Sequence, residues 1–319
     1  MSGAGNDFVV LDGRGADMDG FRRPERIAEL CREFRTDGLM ILDDAGSAVG
    51  PAGRVPDFKM EFYNPDGSGG MMCGNGGRCI VAFADWLEVK ASAPDHYVFL
   101  APDGLHSATI VARPTNGRMD GNCPLRACPP PDTGRGMGPD GDKWSETTQE
   151  TLGGAGATEG SGVPQGAVPV ESDQWTVRLG MIDVDGVREM LGGYFLNTGT
   201  RHFVKFVEDV DAVDIEKEGK ELRWNEAFAP EGTNVNFVQR CDAYLKIRTF
   251  EKGVEGETLA CGTGITASAI VAYSGPQKSA SIRLQARRGD WLEVDFEQVG
   301  PESFRNIHLT GPAEFVETK

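Results

Sequence analysis

The chain has 319 residues, 39% of them hydrophobic and 25% charged, and a formal net charge of −17. That length accommodates two domains, and the strong acidity argues against non-specific binding to nucleic acid or to an anionic membrane. An anionic small molecule stays open as a ligand, because a site can be locally positive.

No apolar run approaches the roughly 20 residues of a membrane helix. The opening MSGAGNDFVVLDG has neither the basic segment nor the long apolar region of a signal peptide. Cysteines stand at 31, 73, 79, 123, 128, 241 and 261, an odd and scattered set in a chain long enough to do without covalent staples. Free thiols in a reducing cytoplasm are the natural expectation.

Along the chain, Gly3-Ala4-Gly5-Asn6-Asp7 is a polar, glycine-rich turn entering a strand at Phe8 to Leu11. Pro24 suits a first helical position, and Ile27, Leu30, Cys31 and Phe34 continue the helix at i, i+3, i+4 and i+7. Gly38 to Leu42 reads as a short buried strand, and Phe58, Met60 and Phe62 alternate as in a half-buried one. Asn64-Pro65-Asp66-Gly67-Ser68 is a turn. Next comes Cys73-Gly74-Asn75-Gly76-Gly77-Arg78-Cys79, a cysteine directly before a glycine-rich turn that opens a helix through Leu87. That helix is apolar around much of its circumference and belongs inside a sheet. Tyr97 to Leu100 and Ala108 to Val111 flank Pro102-Asp103-Gly104, a hairpin signal.

Residues 114–170 differ. Twelve glycines and eight prolines fall in these 57 positions, against a usual share of about 12%, and no periodicity survives. The segment reads as a flexible insertion or linker. Cys123 and Cys128 lie in it without a second ligand pair, which argues against a metal site.

Order returns with an alternating strand, Trp175 to Leu179, then Tyr194 to Leu196 and Phe203 to Val207. The acidic stretch around 208–221 reads as a solvated helix. Val235 to Gln239 is a strand, and Leu245, Ile247 and Thr249 alternate into Glu251 and Lys252. Ala260-Cys261-Gly262-Thr263-Gly264 then repeats the earlier plan and opens a second, small-residue helix, Ile265 to Tyr273. Strands at Ser281 to Ala286, Trp291 to Phe296 and Phe304 to Leu309 follow. A last one, Ala313 to Glu317, is expected to pack back onto the first domain.

The halves echo each other. Phe8 stands 65 residues before Cys73, and Phe203 stands 58 before Cys261. Similar order at similar spacing predicts an internal duplication. One buried helix per strand-rich repeat gives an α+β class. The expected organisation is residues 1–113 as the half carrying Cys73, 114–170 as insertion, 171–311 as the half carrying Cys261, and 312–319 returning to the first half.

A thiol at a helix start meets free N–H groups and the positive end of the helix dipole, which favour negative charge and are expected to lower its pKa. Two such starts can also hold a carboxylate. Donors there stabilise the charge that develops when the proton α to that carboxylate is removed. Inverting a stereocentre needs a base on one face and an acid on the other, which two thiols from two halves supply. No lysine-centred pyridoxal phosphate signal, dinucleotide fingerprint or zinc-ligand pair stands in the sequence, so the expected chemistry uses neither cofactor nor metal.

Gly3 to Phe8, Asn64 to Ser68, Cys73 to Cys79 and Gly256 to Gly264 together resemble the diaminopimelate epimerase family. The resemblance runs through nearly the whole chain except 114–170. It implies two pseudo-symmetric domains, each a mostly antiparallel sheet wrapped around a central helix, with the site in the cleft between them. It further implies interconversion of LL- and meso-diaminopimelate, for lysine and peptidoglycan synthesis. Cys73 and Cys261 become the acid/base pair. Gly74, Asn75, Gly262 and Thr263 hold the reacting carboxylate through the helix starts, and Asn6, Asn64 and Asn234 match substrate-binding positions. Glu251 and Lys252 match an acidic–basic pair at the site, with lysine where the family usually carries arginine. His202 matches a histidine near the centre, and Thr200 stands where the family often has asparagine. The segment before Asp37 is a few residues short of the family pattern, and the chain starts almost at its first motif. A homodimer is a family-level expectation.

Cys79 in the helix reads as packing, as do Cys31 and Cys241. His96, His106 and His308 carry no constellation. Arg78 is open between pairing with an acid and touching substrate. Three rival functions follow from the same residues: another two-cysteine racemase, such as a proline-racemase-like enzyme; a thiol-redox protein using a Cys73–Cys261 disulfide; and a non-catalytic amino-acid-binding module.

Overall fold

The computed structural model describes residues 1–47, 50, 53–70, 73–114, 174–273 and 279–316. Apart from Pro114, the expected insertion, with Cys123 and Cys128, lies outside the described residues.

The first half runs β1 (Ser2–Gly3), β2 (Asn6–Asp12), α1 (Pro24–Phe34), β3 (Gly38–Asp43), β4 (Phe58–Tyr63), α2 (Gly74–Trp86), β5 (His96–Ala101), β6 (Gly104–Ala112) and β7 (Trp175–Gly180). The second adds β8 (Val184–Asp185), β9 (Arg188–Met190), β10 (Gly193–Asn197), β11 (Arg201–Val207), a helical segment Ile215–Gly219 continuing into α3 (Lys220–Arg223), and β12 (Asn234–Arg240). It ends with β13 (Leu245–Glu251), β14 (Gly256–Thr258), α4 (Gly262–Ala272), β15 (Ser279–Gln285), β16 (Trp291–Gly300) and β17 (Ser303–Ala313).

Strand pairing makes the duplication concrete. β1 lies antiparallel to β2, β2 parallel to β3, β3 antiparallel to β4, β4 parallel to β5, β5 antiparallel to β6 and β6 antiparallel to β7. β10, β11, β12, β13, β15, β16 and β17 repeat that sequence of directions. The fold is α+β, as the sequence implied. The two sheets join where β17 pairs with β7, from His308 opposite Gly180 to Ala313 opposite Trp175. Ser2 bridges to Glu314 and closes the first sheet around α2.

Each central helix carries a core. Ile80 to Ala84 of α2 pack among Val10, Met40, Leu42, Phe58, Phe99 and Val177. Ile265, Ala267, Ala269 and Ile270 of α4 pack among Val204, Val238, Leu284, Val294 and Leu309. The odd-numbered neighbours Val9, Leu39 and Ile41 face outward and are covered by Ile27, Leu30 and Cys31 of α1. Both faces of β2 and β3 are therefore dry, which is why their sequences are continuously apolar instead of alternating.

Three expectations change. Trp175, Val177 and Leu179 pack into the α2 core, so β7 completes the first sheet instead of opening the second half. Ala313 ends β17, and among the described residues no separate strand follows it, although Glu314 bridges to Ser2 and Phe315 packs on the first core as expected of that end. The 208–221 stretch is not wholly solvated, since Val210 and Ile215 anchor it against Phe228 and Phe250 while its acidic side chains stay outside.

Candidate active site

The two central helices begin at the same place. A Cβ built on Gly262 would lie 3.2 Å from the Cα of Gly74 and 3.0 Å from Leu309 Cδ2, and one on Gly74 would lie 3.4 Å from the Cα of Gly262 and 3.1 Å from the same methyl. The starts meet backbone to backbone, with Leu309 of the shared strand wedged behind them. Glycine is needed at both positions for this approach.

Cys73 and Cys261 are the N-cap residues of α2 and α4, both with extended backbone. They directly precede the two abutting glycines, and the thiols are close enough for charge on one to act on the other. The Gly76 N–H donates to Cys73 Sγ at 3.2 Å, and Thr263 Oγ1 lies 3.5 Å from Cys261 Sγ. The N–H groups of Gly74 and Asn75, and of Gly262 and Thr263, have no carbonyl partner within their own helices. Two positive helix ends, each worth about half a unit charge, therefore converge on one space.

The thiols do not titrate low. Burial pushes Cys73 up to about 11, the Glu251 carboxylate adds to the rise, and the Gly76 N–H and the Arg78 charge oppose it. Burial also pushes Cys261 up, again with Glu251 adding. The expected lowering by the helix starts is present but smaller than desolvation.

Glu251, at the end of β13, lies close enough to Cys261 for its charge to act on the thiol, and Thr258 Oγ1 donates to its Oε2 at 2.9 Å. Burial raises its own pKa, against the hydrogen bond from Thr258.

His202, on β11, is wholly buried against the start of α4. Asn236 Nδ2 lies 3.2 Å from the Phe203 carbonyl oxygen and 3.0 Å from His202 Nδ1, while Thr249 Oγ1 donates to Asn236 Oδ1 at 3.0 Å. A carbonyl only accepts, so the amide nitrogen faces His202, Nδ1 offers a lone pair, and the ring proton sits on Nε2. His202 Nε2 lies 2.9 Å from both Thr263 Oγ1 and Thr200 Oγ1. Thr263 accepts from the ring and can turn its own proton toward Cys261. Burial lowers the His202 pKa to about 3, so the ring is a neutral donor. Gly264 is required beneath this network, because a Cβ there would stand 2.3 Å from Asn236 Oδ1.

Nitrogen-15 NMR of labelled protein is expected to find His202 protonated on Nε2 alone from about pH 5 to pH 9. Asn236→Asp, which turns an acceptor toward Nδ1, is expected to bring a proton there. A proton on Nδ1 in the native protein would sink the assignment.

The other sequence-predicted residues divide. Asn75 Nδ2 donates to Asn6 Oδ1 at 2.6 Å and to the Ala260 carbonyl at 3.1 Å, so its side chain ties the halves together and its backbone N–H is what points to the junction. Asn6 also donates to Asp37 at 3.2 Å. Asn234 Oδ1 accepts from the Lys252 N–H at 2.7 Å, and its Nδ2 donates to Thr200 at 3.2 Å. Asn64 donates to Ser68 Oγ at 3.0 Å within its own turn. Lys252 is exposed. Asn236 and Thr258 were not found by sequence reasoning; alternation placed Asn236 on a strand, and only the fold brings it under α4.

His96, His106 and His308 bond to Thr109, Asp103 and Asp295 away from the thiols. Cys79 is fully buried and burial raises its pKa to about 12. Arg78 pairs with no acid among the described residues and does not lie on the surface; it is fully buried among carbonyl groups. Among the described residues no group of three or more His, Cys, Asp or Glu side chains is placed to hold a metal ion, and no helix is long and apolar enough to cross a membrane.

The fold is shared with solved structures at low sequence identity. A PhzF-family phenazine biosynthesis protein from Bacillus anthracis superposes with TM-score 0.60 at 11% identity, over 99% of this chain and 93% of that one. A hydroxyproline epimerase from Agrobacterium vitis, solved with trans-4-hydroxy-L-proline, gives TM-score 0.50 at 12% identity, over 92% and 81%. The sequence model described as diaminopimelate epimerase matches residues 194–316. The diaminopimelate epimerase of Flavobacterium psychrophilum is 33% identical over 319 residues, covering 98% of this chain and 95% of that protein. That of Aquifex aeolicus is 34% identical, covering 98% and 92%. The chain belongs to the diaminopimelate epimerase family.

Proposed function

We propose that the protein interconverts LL- and meso-diaminopimelate by moving one proton between two faces of one α-carbon, without pyridoxal phosphate. The observation that carries this reading is the abutment of two cysteine-capped helix starts at Gly74 and Gly262. One carboxylate can receive N–H bonds from both helices there, with a thiol above and a thiol below its α-carbon.

In this mechanism one thiolate takes the α-proton, and the electron pair of the C–H bond spreads into the carboxylate. The N–H groups of Gly74, Asn75, Gly262 and Thr263 bind that charge more strongly as it grows, which is differential stabilisation of the transition state. The opposite thiol then gives its proton to the other face. Afterwards one sulfur has gained a proton and the other has lost one, and the roles are exchanged for the reverse reaction. Glu251 takes the proton of Cys261 when that residue must act as base. The Thr263 hydroxyl, backed by His202, steadies the same sulfur. Both thiols must stay reduced, which supports a cytoplasmic setting and a place in lysine and peptidoglycan precursor synthesis.

The remaining bonds of Asn6, Asn64 and Asn234 serve the rest of the amino acid, and Lys252 serves its distal carboxylate. A charged hydrogen bond is worth about 1.5–3 kcal/mol, so Lys252→Met is expected to raise KM roughly ten- to hundredfold with little change in kcat, read from initial rates. The reading as a whole is tested by incubating the protein in deuterium oxide with LL-diaminopimelate, and in parallel with proline. Deuterium is expected at the α-carbon of diaminopimelate together with the meso product. Turnover of proline alone would replace this reading with a proline-racemase-like one.

A further inference from the structure

Among the described residues Arg78 is the largest side chain that is completely buried, and none of them supplies its charge with a counter-ion. Its Nη1 donates to the Gly74 carbonyl at 3.2 Å, Nη2 to the Gly3 carbonyl at 3.3 Å and to Asn75 Oδ1 at 2.8 Å, and Nε to the Pro312 carbonyl at 3.2 Å. All four acceptors are neutral. Among the described residues no carboxylate forms an ion pair with it; Asp290 acts on it only from a distance. A buried guanidinium without an anion is costly, and such groups are ordinarily paired.

Its position supplies the reason. Two of the four acceptors, Gly74 and Asn75, are the first two residues of α2, and the other two come from the opening β1 turn and from β17. The guanidinium therefore clamps the first turn of α2 against both chain ends, directly behind the N–H groups that face the helix junction. Gly311 makes room for it, since a Cβ there would stand 3.1 Å from Arg78 Nε.

We propose that the anion missing from Arg78 is the one that occupies the paired helix starts, and that Arg78 is a positioning residue. It fixes the first turn of α2 and adds a full positive charge behind it. That charge favours the Cys73 thiolate when the site is empty and the substrate carboxylate when it is filled. The second half of this statement rests on the proposed epimerase reading; the first half does not.

The test uses the full-length, ligand-free protein and the rate of Cys73 alkylation by iodoacetamide against pH, read by peptide-resolved mass spectrometry. The groups that face Cys73 are Glu251 from β13, Cys261 from α4, and Arg78 and Cys79 from α2. All but Arg78 disfavour its thiolate. In the native protein Cys73 is expected to become reactive at lower pH than Cys261; the opposite order would overturn the proposal. Arg78→Gln keeps hydrogen-bond donors without charge, and is expected to move the Cys73 midpoint up by about one pH unit or more, within the range of a nearby charge. Arg78→Lys keeps the charge with fewer bonds and is expected to stay within a few tenths of a unit of native. A folded Arg78→Gln with an unmoved midpoint, or an Arg78→Lys that moves as far, would reduce Arg78 to packing. If Arg78→Gln does not fold, the native order of the two thiols and Arg78→Lys still decide.

A second readout is KM for LL-diaminopimelate, expected to rise about tenfold in Arg78→Gln, as one pKa-sized charge interaction implies, and to be largely restored in Arg78→Lys. If native protein turns over no diaminopimelate, the functional reading fails while the alkylation result still judges Arg78.

Discussion

Alanine at Cys73 lowers epimerisation on the order of 10²- to 10⁴-fold, the usual worth of a general acid or base, and alanine at Cys261 does the same. The loss is expected to be equal in the two directions. Each sulfur is base one way and acid the other, and a catalyst cannot change the equilibrium between two stereoisomers. What distinguishes this from a generally damaged site is the isotope experiment. With one thiol left, the α-proton of the stereoisomer that presents its C–H to that thiol can still be removed and returned to the same face. Each variant is therefore expected to exchange the α-proton of one stereoisomer with solvent deuterium while forming almost no inverted product, and the two variants are expected to prefer opposite stereoisomers. The measurement is mass and proton NMR analysis of both stereoisomers recovered from deuterium oxide. Two variants that exchange the same stereoisomer, or inversion persisting without either thiol, would refute the two-face mechanism. The substitutions are small enough to keep the fold, since each removes a single sulfur atom at a helix start, where Cys73 is half-buried and Cys261 buried.

Much of the site was legible because its residues belong to contiguous runs. Cys73 to Arg78 and Cys261 to Gly264 each combine a cap, a turn and a helix start, so local rules alone placed two thiols at two helix N-termini. Why both positions after the cysteines are glycine was not legible. Gly74 and Gly262 touch across the molecule, and only the pairing of β7 with β17 brings them together. Asn236 was hidden for the same reason, being one of several polar residues in its strand until β11 and β12 set it beside His202. The thiol acidities were misjudged because the helix-start effect is local and readable, whereas burial and the approach of Glu251 depend on chain segments far apart in sequence. The β7 boundary was misjudged because an alternating strand does not say which of two sheets it completes. Asn6 and Asn75 match substrate positions by motif, yet in space they bond to each other across 69 residues. A motif fixes which residues gather at a site more reliably than which of their atoms remain free.

Glutamine at Glu251 supplies the second large effect, and it separates two roles that the geometry superimposes. The Glu251 carboxylate raises the pKa of both thiols by its charge, and as the acceptor facing Cys261 it is placed to receive that thiol's proton. If charge were its whole contribution, glutamine would relieve both sulfurs, make their thiolates more abundant and speed the reaction. If it accepts the Cys261 proton, glutamine removes the acceptor, and turnover falls on the order of 10²- to 10⁴-fold even though the thiols ionise more readily. The second outcome is expected. The Thr258 hydroxyl can still donate to a glutamine carbonyl, so the position of the side chain is kept. The pH profile carries the sign. In the native protein kcat/KM should fall as pH drops through the Glu251 pKa, which burial holds above the usual carboxylate range, because a protonated Glu251 cannot receive the Cys261 proton. In Glu251→Gln that acid limb should vanish. Activity should instead climb about tenfold per pH unit toward the alkaline region where the thiol ionises unaided. Iodoacetamide alkylation of the same variant should show both thiols reacting at lower pH than in native protein. Slower turnover joined to more reactive thiols is the combination that only a proton-accepting Glu251 produces, and a variant with both quantities raised would make the carboxylate an electrostatic burden instead of a base.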